Sequence, residues 1–512
     1  MTPSKDLFLL IHSLDKNEKR YFRLFTARQD GEKSYLKLFN AIELQEEYDE
    51  RKIIQKFRHE NFSKRFAFTK HYLYRSILKS LSLYHENHSV DMQIKSSLNY
   101  AQILANRSFF PQAMKIIMSV KKDIEKYEKR KFKQEAIELQ RDVMNGFGER
   151  YYSLDDFAVL QEEQKKDLAD LATKGEYDLL MKRMYQIFFQ HGYLRQKEPT
   201  LEMDEIIHHP LLQDISSAVD LRCKLIFYMI YVTYYSILGD FKKMHSYSEK
   251  AIKVVGQHTH LIHDYKKQFL AVVGNYISAS VGIRKYEEAE KKIAELKNLI
   301  LTGEFAKDIY LKSQIFYYTF NMELEIFMRR GLFNRCIDLI LDFEHREQRF
   351  VKIISPENTI IAYFNISYLY FIMRKYDQAK KWSNKLFDIP ELRSKKDIYS
   401  MARVINLLVH YELGNFDLLE HNLRSTYQLL GRHERLFLTE KLMINFIKKI
   451  LSSTPDKETL QNMFQKMAKE VKGIWNDPNE KIALEYFDLI SWIKSKIEGR
   501  TFEEVLKEKA GK

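Results

Sequence analysis

An aromatic residue recurs along this chain, each time just after a break in a long apolar pattern. It stands at Phe241, Tyr286, Phe333, Tyr376 and Phe416, spaced 45, 47, 43 and 40 residues apart. Behind each lies one inward stripe at three- and four-residue steps, the spacing of a single helix face. After Phe241 it is Met244, Ser248, Ala251 and Ile252; after Tyr286, Ala289, Ile293 and Leu296; after Phe333, Cys336, Ile340 and Phe343. Tyr376 is followed by Ala379, Ser383 and Leu386, with Pro390 ending the unit, and Phe416 by Leu419 and Leu423. An earlier copy begins at Phe110 with Ala113, Ile117 and Val120. Gly239, Gly331 and Gly414 stand at the breaks, where glycine tolerates the left-handed backbone that ends a helix. A unit of this length and pattern is a pair of helices that cannot bury its apolar face alone, so stacking on its neighbours is obligatory.

Composition agrees. Gly occurs 16 times and Pro 8 times in 512 residues, about 3% and 1.6% against ordinary usage of about 7% and 5%. Scarce chain breakers disfavour collagen-like, multi-turn β and loop-rich disulfide folds. The 34 Phe and 32 Tyr supply burial material that a disordered chain lacks.

The turn Gly239-Asp240-Phe241, and the spacings Tyr286 to Ala289 and Tyr376 to Ala379, resemble the tetratricopeptide (TPR) repeat over about residues 95–430. In that family a Gly/Asn–Asp–aromatic turn joins two antiparallel helices, with a small residue three places after the aromatic. The units here are longer than the 34 residues of a TPR, so longer helices or inter-unit loops are expected. The resemblance implies an all-α fold, a right-handed α-solenoid with a concave face that holds a partner segment. On that face Asn275, Asn321 and Asn365 are the candidate contacts. The Tyr-rich helices, with Tyr228, Tyr231, Tyr234 and Tyr235 and later Tyr363, Tyr368 and Tyr370, suit either peptide binding or the inter-repeat core.

Four regions follow: an N-terminal basic helical module at 1–95, degenerate helical repeats at 96–215, TPR-like repeats at 216–450, and C-terminal capping helices at 451–512. The first contains short helices near 5–13, 16–28, 32–47, 49–58 and 67–86. Residues 145–215 read as irregular, and Thr501 with Glu504 spells a capping box.

Catalytic patterns are missing from the sequence. There is no phosphate-cradling Gly-rich loop, no GxSxG elbow and no HExxH. A non-catalytic protein without a cofactor is the expectation. The weak metal candidate is His258, His260 and His263, beside Asp264, in a segment that reads equally as a solvated joint. Two distant cysteines, Cys223 and Cys336, form no disulfide framework and fit a reducing compartment. The apolar run Leu7–Ile11 is too short for a signal-peptide core. The longest apolar stretches, Leu225–Leu238 and Ile360–Met373, fall short of the roughly 18 residues of a membrane span. A cytoplasmic location without a membrane span is expected.

The formal net charge is +13. Its strongest concentration is at 51–80, where Arg51, Lys52, Lys56, Arg58, Lys64, Arg65, Lys70, Arg75 and Lys79 face Glu60 alone, interleaved with Phe and Tyr. The stretch reads as a short helix, a turn and a longer helix from about Thr69, the outline of a helix-turn-helix presenting Lys70, His71, Tyr74 and Arg75. Solvated surface, a patch for an acidic protein and a nucleic-acid contact all fit it. Two function classes follow. The first is a cytoplasmic protein–protein interaction scaffold or adaptor that uses the concave surface for a protein or peptide. The second is a regulator whose N-terminal module binds nucleic acid under control of the repeats.

Overall fold

A computed structural model of the 512-residue chain describes all residues except 1–4, 28–32, 87–88, 149–150, 192–198, 263, 302–304, 306–307, 349, 351–352, 432–437, 454, 475–479, 481–483, 485 and 512. The described residues form 24 α-helices and no strand, in a repeat-like helical array. The chain divides into two compact units, Met1–Ala172 and Thr173–Lys512.

The first unit opens with five helices: α1 (Asp6–Ser13), α2 (Lys16–Ala27), α3 (Lys33–Glu43), α4 (Glu50–Lys56) and α5 (Phe66–Glu86). They close on a small core of Ile11, Phe22, Phe39, Ile53, Leu73 and Ile77. The pair α6 (Val90–Asn106) and α7 (Phe110–Lys126) packs with α8 (Lys133–Phe147) around Leu98, Ala113, Ile117 and Val143. The irregular stretch expected after residue 145 is instead largely one helix of 38 residues, α9 (Leu154–His191). Its buried residues switch face, from Leu160 and Asp167 to Tyr177, Leu180, Met184 and Ile187, so no single 3.6-residue stripe marks it as a helix. Arg130 holds the first half through Asp170 at 2.6 Å.

In the second unit, α10 (Leu201–Ile207) precedes a run of helix pairs. They are α11 (Leu221–Ile237) with α12 (Phe241–Gln257), α13 (Lys266–Gly282) with α14 (Tyr286–Leu299), and α15 (Ile309–Arg329) with α16 (Phe333–Glu347). Then come α17 (Pro356–Ile372) with α18 (Tyr376–Phe387), α19 (Lys396–Glu412) with α20 (Phe416–Gly431), and α21 (Leu438–Ser453) with α22 (Lys457–Ile474). The short helices α23 (Leu489–Glu498) and α24 (Phe502–Ala510) follow. From α11 to α21, each first helix packs on the first helix of the next pair.

Six of the pairs, α6–α7 and the five from α11–α12 to α19–α20, share one joint. Its left-handed residue always stands two places before the aromatic: Ser108 (φ 62°), Gly239 (68°), Arg284 (64°), Gly331 (70°), Arg374 (60°) and Gly414 (70°). The next amide then donates back to the carbonyl five residues earlier, as in Asp240 to Tyr235, Lys285 to Ser280 and Lys375 to Tyr370, at 2.8–2.9 Å. This 6→1 bond satisfies a carbonyl that the helix end leaves without a partner. Three places after each aromatic the chain is buried, at Ala113, Met244, Ala289, Cys336, Ala379 and Leu419. One expected anchor differs. Phe416 is 51% exposed, and its joint is closed by Gly414 and Leu419 instead.

The aromatic packs on the unit that follows. Phe241 lies against Gly282 at the end of α13, where a Cβ would come within 2.5 Å of the ring. Phe110 covers Gly146 in the same way. The last pair carries the expected capping box, with Thr501 accepting from the Glu504 amide and Glu504 from the Thr501 amide.

Candidate functional site

The first helices of consecutive pairs, with Tyr185 and Phe188 of α9 and Leu296 of α14, line an open cavity of about 450 Å³. Thr233 and Ser236 come from α11, Lys267, Ala271, Gly274, Asn275 and Ser278 from α13, Tyr310, Gln314 and Tyr318 from α15, and Asn358 from α17. The floor is built by a close approach of α13 and α15. The Tyr318 hydroxyl donates to the Gly274 carbonyl and meets Ser278 Oγ at 3.0 Å. A Cβ at 274 would stand 3.3 Å from the Tyr318 ring. Burial pushes the Tyr318 phenol well above its ordinary pKa, so it stays a donor. Asn358 donates to Gln314 Oε1 at 3.1 Å, which orients both amides. The Lys267 ammonium lies 5.7 Å from the Tyr310 ring centre. Among the lining residues Lys267 is the one cation and there is no carboxylate. Such a lining offers apolar walls, amides and hydroxyls to a backbone, and one positive charge to an anionic end.

The three asparagines expected on one surface are separated. Asn275 lines this cavity. Asn321 is 3% exposed and accepts from Asn365 Nδ2 at 3.3 Å, so it belongs to the packing of α15 on α17 and not to an open face. Asn365 lines a second cavity of about 980 Å³, closed on one side by residues between Leu484 and Ala510. That segment returns to α17. The Asp488 amide donates to the Tyr368 hydroxyl at 3.0 Å, and Phe487 packs on Tyr368 and Phe371. Lys267, Gln314, Tyr318 and Asn358 were not singled out by their sequence context, because only packing brings α13, α15 and α17 to one cavity.

The N-terminal basic region folds as α4, a 3-10 turn at Asn61–Arg65, and α5. The long helix spans Phe66–Glu86, close to the expected 67–86 and three residues ahead of Thr69. Nine residues separate α4 from α5, against the three or four of a helix-turn-helix. Lys70 does not face solvent: its ammonium pairs with Glu50 at 2.6 Å and lies 5.1 Å from the Tyr48 ring. Tyr74 packs against the N-terminal core. Burial raises the pKa of Glu50, but the bonds from Lys70 and Tyr48 outweigh it and hold the carboxyl below its usual range. Arg51, Lys52, Lys56, Arg58, Lys64, Arg65, Arg75 and Lys79 are exposed. On α5, Phe68, 65% exposed, and Tyr72, 41% exposed, precede Arg75 and Lys79.

The histidine segment does not converge among the described residues. His258 bonds the Val254 carbonyl through Nδ1 at 2.8 Å, His260 is exposed, and His263 lies outside the described residues. Both cysteines are buried and free, and burial pushes each thiol up to about 12. No helix among the described residues is long and apolar enough to cross a membrane. No family model, curated protein or solved structure matches the chain.

Proposed function

We propose that this chain is a non-catalytic cytoplasmic interaction scaffold. Its helix pairs form a right-handed, TPR-like solenoid whose first-helix face takes an extended segment of a partner protein. The observation that carries this reading is the cavity across α11, α13, α15 and α17, walled by apolar groups and set with oriented amides and one lysine. Backbone amides of a bound segment would pair with Asn275, Gln314 and Asn358, and a terminal or side-chain carboxylate with Lys267.

The test is selection of peptides from a random displayed library on the full chain, followed by affinity measurement on variants. Ala271 is exposed and lines the cavity, so Ala271→Trp fills it without disturbing the core. Selected peptides should bind A271W and Lys267→Glu about tenfold or more weakly, a loss of about 1.4 kcal/mol or more, with thermal stability unchanged. Peptides that bind both variants as they bind the parent chain would sink the proposal.

A further inference from the structure

We propose that the exposed face of α5 is a docking surface for single-stranded nucleic acid, with bases stacked on Phe68 and Tyr72 and phosphates paired with Lys64, Arg65, Arg75 and Lys79. This goes beyond the scaffold reading and uses none of the cavity residues.

Phe68, Tyr72, Arg75 and Lys79 follow one another at steps of four, three and four residues, so they share one stripe of the helix. The opposite face, with Phe66, Leu73 and Ile77, is buried in the core, so the stripe cannot turn inward. Lys64 and Arg65 sit just before the helix, and the run from Lys64 to Lys79 is about 22 Å long at about 1.5 Å per residue. Lys64, Arg65, Arg75 and Lys79 form no ion pair among the described residues. The nearby carboxylates are engaged: Glu50 with Lys70, Glu60 with Lys37, and Asp49 as the cap of α4. An anion approaching the stripe therefore meets cations whose charge is not neutralised locally.

The rings decide which anion. Phosphate pairing needs no aromatic group, yet Phe68, 65% exposed, and Tyr72, 41% exposed, stand on the same stripe as the cations. Every unpaired base offers a π face to such a ring, whereas a duplex hides its base faces in its own stack. Tyr72 is already stacked on Tyr35 of α3, with ring centres 4.3 Å apart and planes at 24°, which holds the outer ring in place. Duplex reading is further disfavoured because, of the residues a groove-reading helix would present, Lys70 is held by Glu50 and Tyr74 packs against the core.

The test is fluorescence anisotropy of the full chain with a labelled oligothymidylate of about 15 nucleotides, and with a duplex of equal length, between about 50 and 200 mM salt. The single strand should bind at least about tenfold tighter than the duplex. Phe68→Ala should weaken it about tenfold with the salt slope unchanged, and Phe68→Trp should restore it. Arg75→Ala and Lys79→Ala should each lower the salt slope by about 0.7. Thermal melts of F68A should match the parent, since the ring is exposed. Absence of binding at the lowest salt, equal or tighter duplex binding, or an unaffected F68A overturns the proposal. So does polyglutamate competing as well as the oligonucleotide, which would mark an acidic-protein surface.

Discussion

Arg284 and Arg374 adopt the same left-handed backbone that Gly239, Gly331 and Gly414 adopt at equivalent joints. A side chain there costs about 1–2 kcal/mol through Cβ crowding, a cost that glycine escapes. Arg284 is exposed, so Arg284→Gly should stabilise the chain by about 0.5–1 kcal/mol after the added freedom of the unfolded state is subtracted. Two residues earlier the sign reverses. Gly282→Ala places a Cβ against the Phe241 ring and should cost about 1–3 kcal/mol by overpacking, although alanine is the better helix former. Denaturant melts of the two variants check both signs. The sequence marks these joints with an aromatic and a buried residue three places on, so the arginine joints are found as readily as the glycine ones. It says nothing of Gly282, whose role comes from a ring 41 positions away.

The helices differ in how much of themselves they announce. α7 and α16 carry one apolar stripe each and are read directly from their spacing. α17 is apolar on nearly every side, since α15, α18, α19 and the C-terminal segment all pack on it, so its sequence reveals burial but not the identity of its neighbours. α11 depends on its cap. Asp220, 3% exposed, accepts from the Cys223 amide at 2.9 Å and pairs with Lys174 at 2.7 Å. Burial pushes the Asp220 pKa up, but the lysine and the amide outweigh it, and the carboxyl stays below its ordinary range. The charged form is therefore the one that stabilises the fold. Its contribution is present above the ordinary carboxylate pKa of about 3.9 and is lost as pH falls through the lower folded value. Asp220→Ala should cost about 3–5 kcal/mol near neutral pH, because it leaves Lys174 without its partner. Thermal melts should also show a shallower acid slope below about pH 4 than in the parent. An unchanged acid slope would show that this carboxylate is not what acid titrates.

At the scale of the whole chain, the unit Thr173–Lys512 is tied together by contacts that skip over a hundred residues. Phe487, fully buried, joins Tyr368 and Phe371 of α17 to Phe502 of α24. Trp492 packs on Phe446 and Phe464, and its indole N–H reaches Glu412 at 3.4 Å. Phe487→Ala should cost about 3–5 kcal/mol. Hydrogen exchange should then accelerate across residues 356–372, far upstream of the substitution, and α17 amides that kept their parental protection would contradict this coupling.

The candidate surfaces were partly legible. The basic concentration at 51–80 stands in the sequence as charge, but which of its residues remain available depends on Lys70 meeting Glu50 across 20 positions. Asn275 was reachable through the repeat pattern, and Lys267 shares its helix, whereas Gln314 and Asn358 join them only when the first helices α13, α15 and α17 stack. By itself the sequence determined the helix pairs, their joints and the residues that face inward. These follow from backbone sterics and from a 3.6-residue period that acts over a few turns. Tertiary structure alone decided which part of the first-helix face stays open and which part residues 484–510 cover. That choice is made by apolar area and hydrogen bonds between segments distant in the chain, and no local pattern records them.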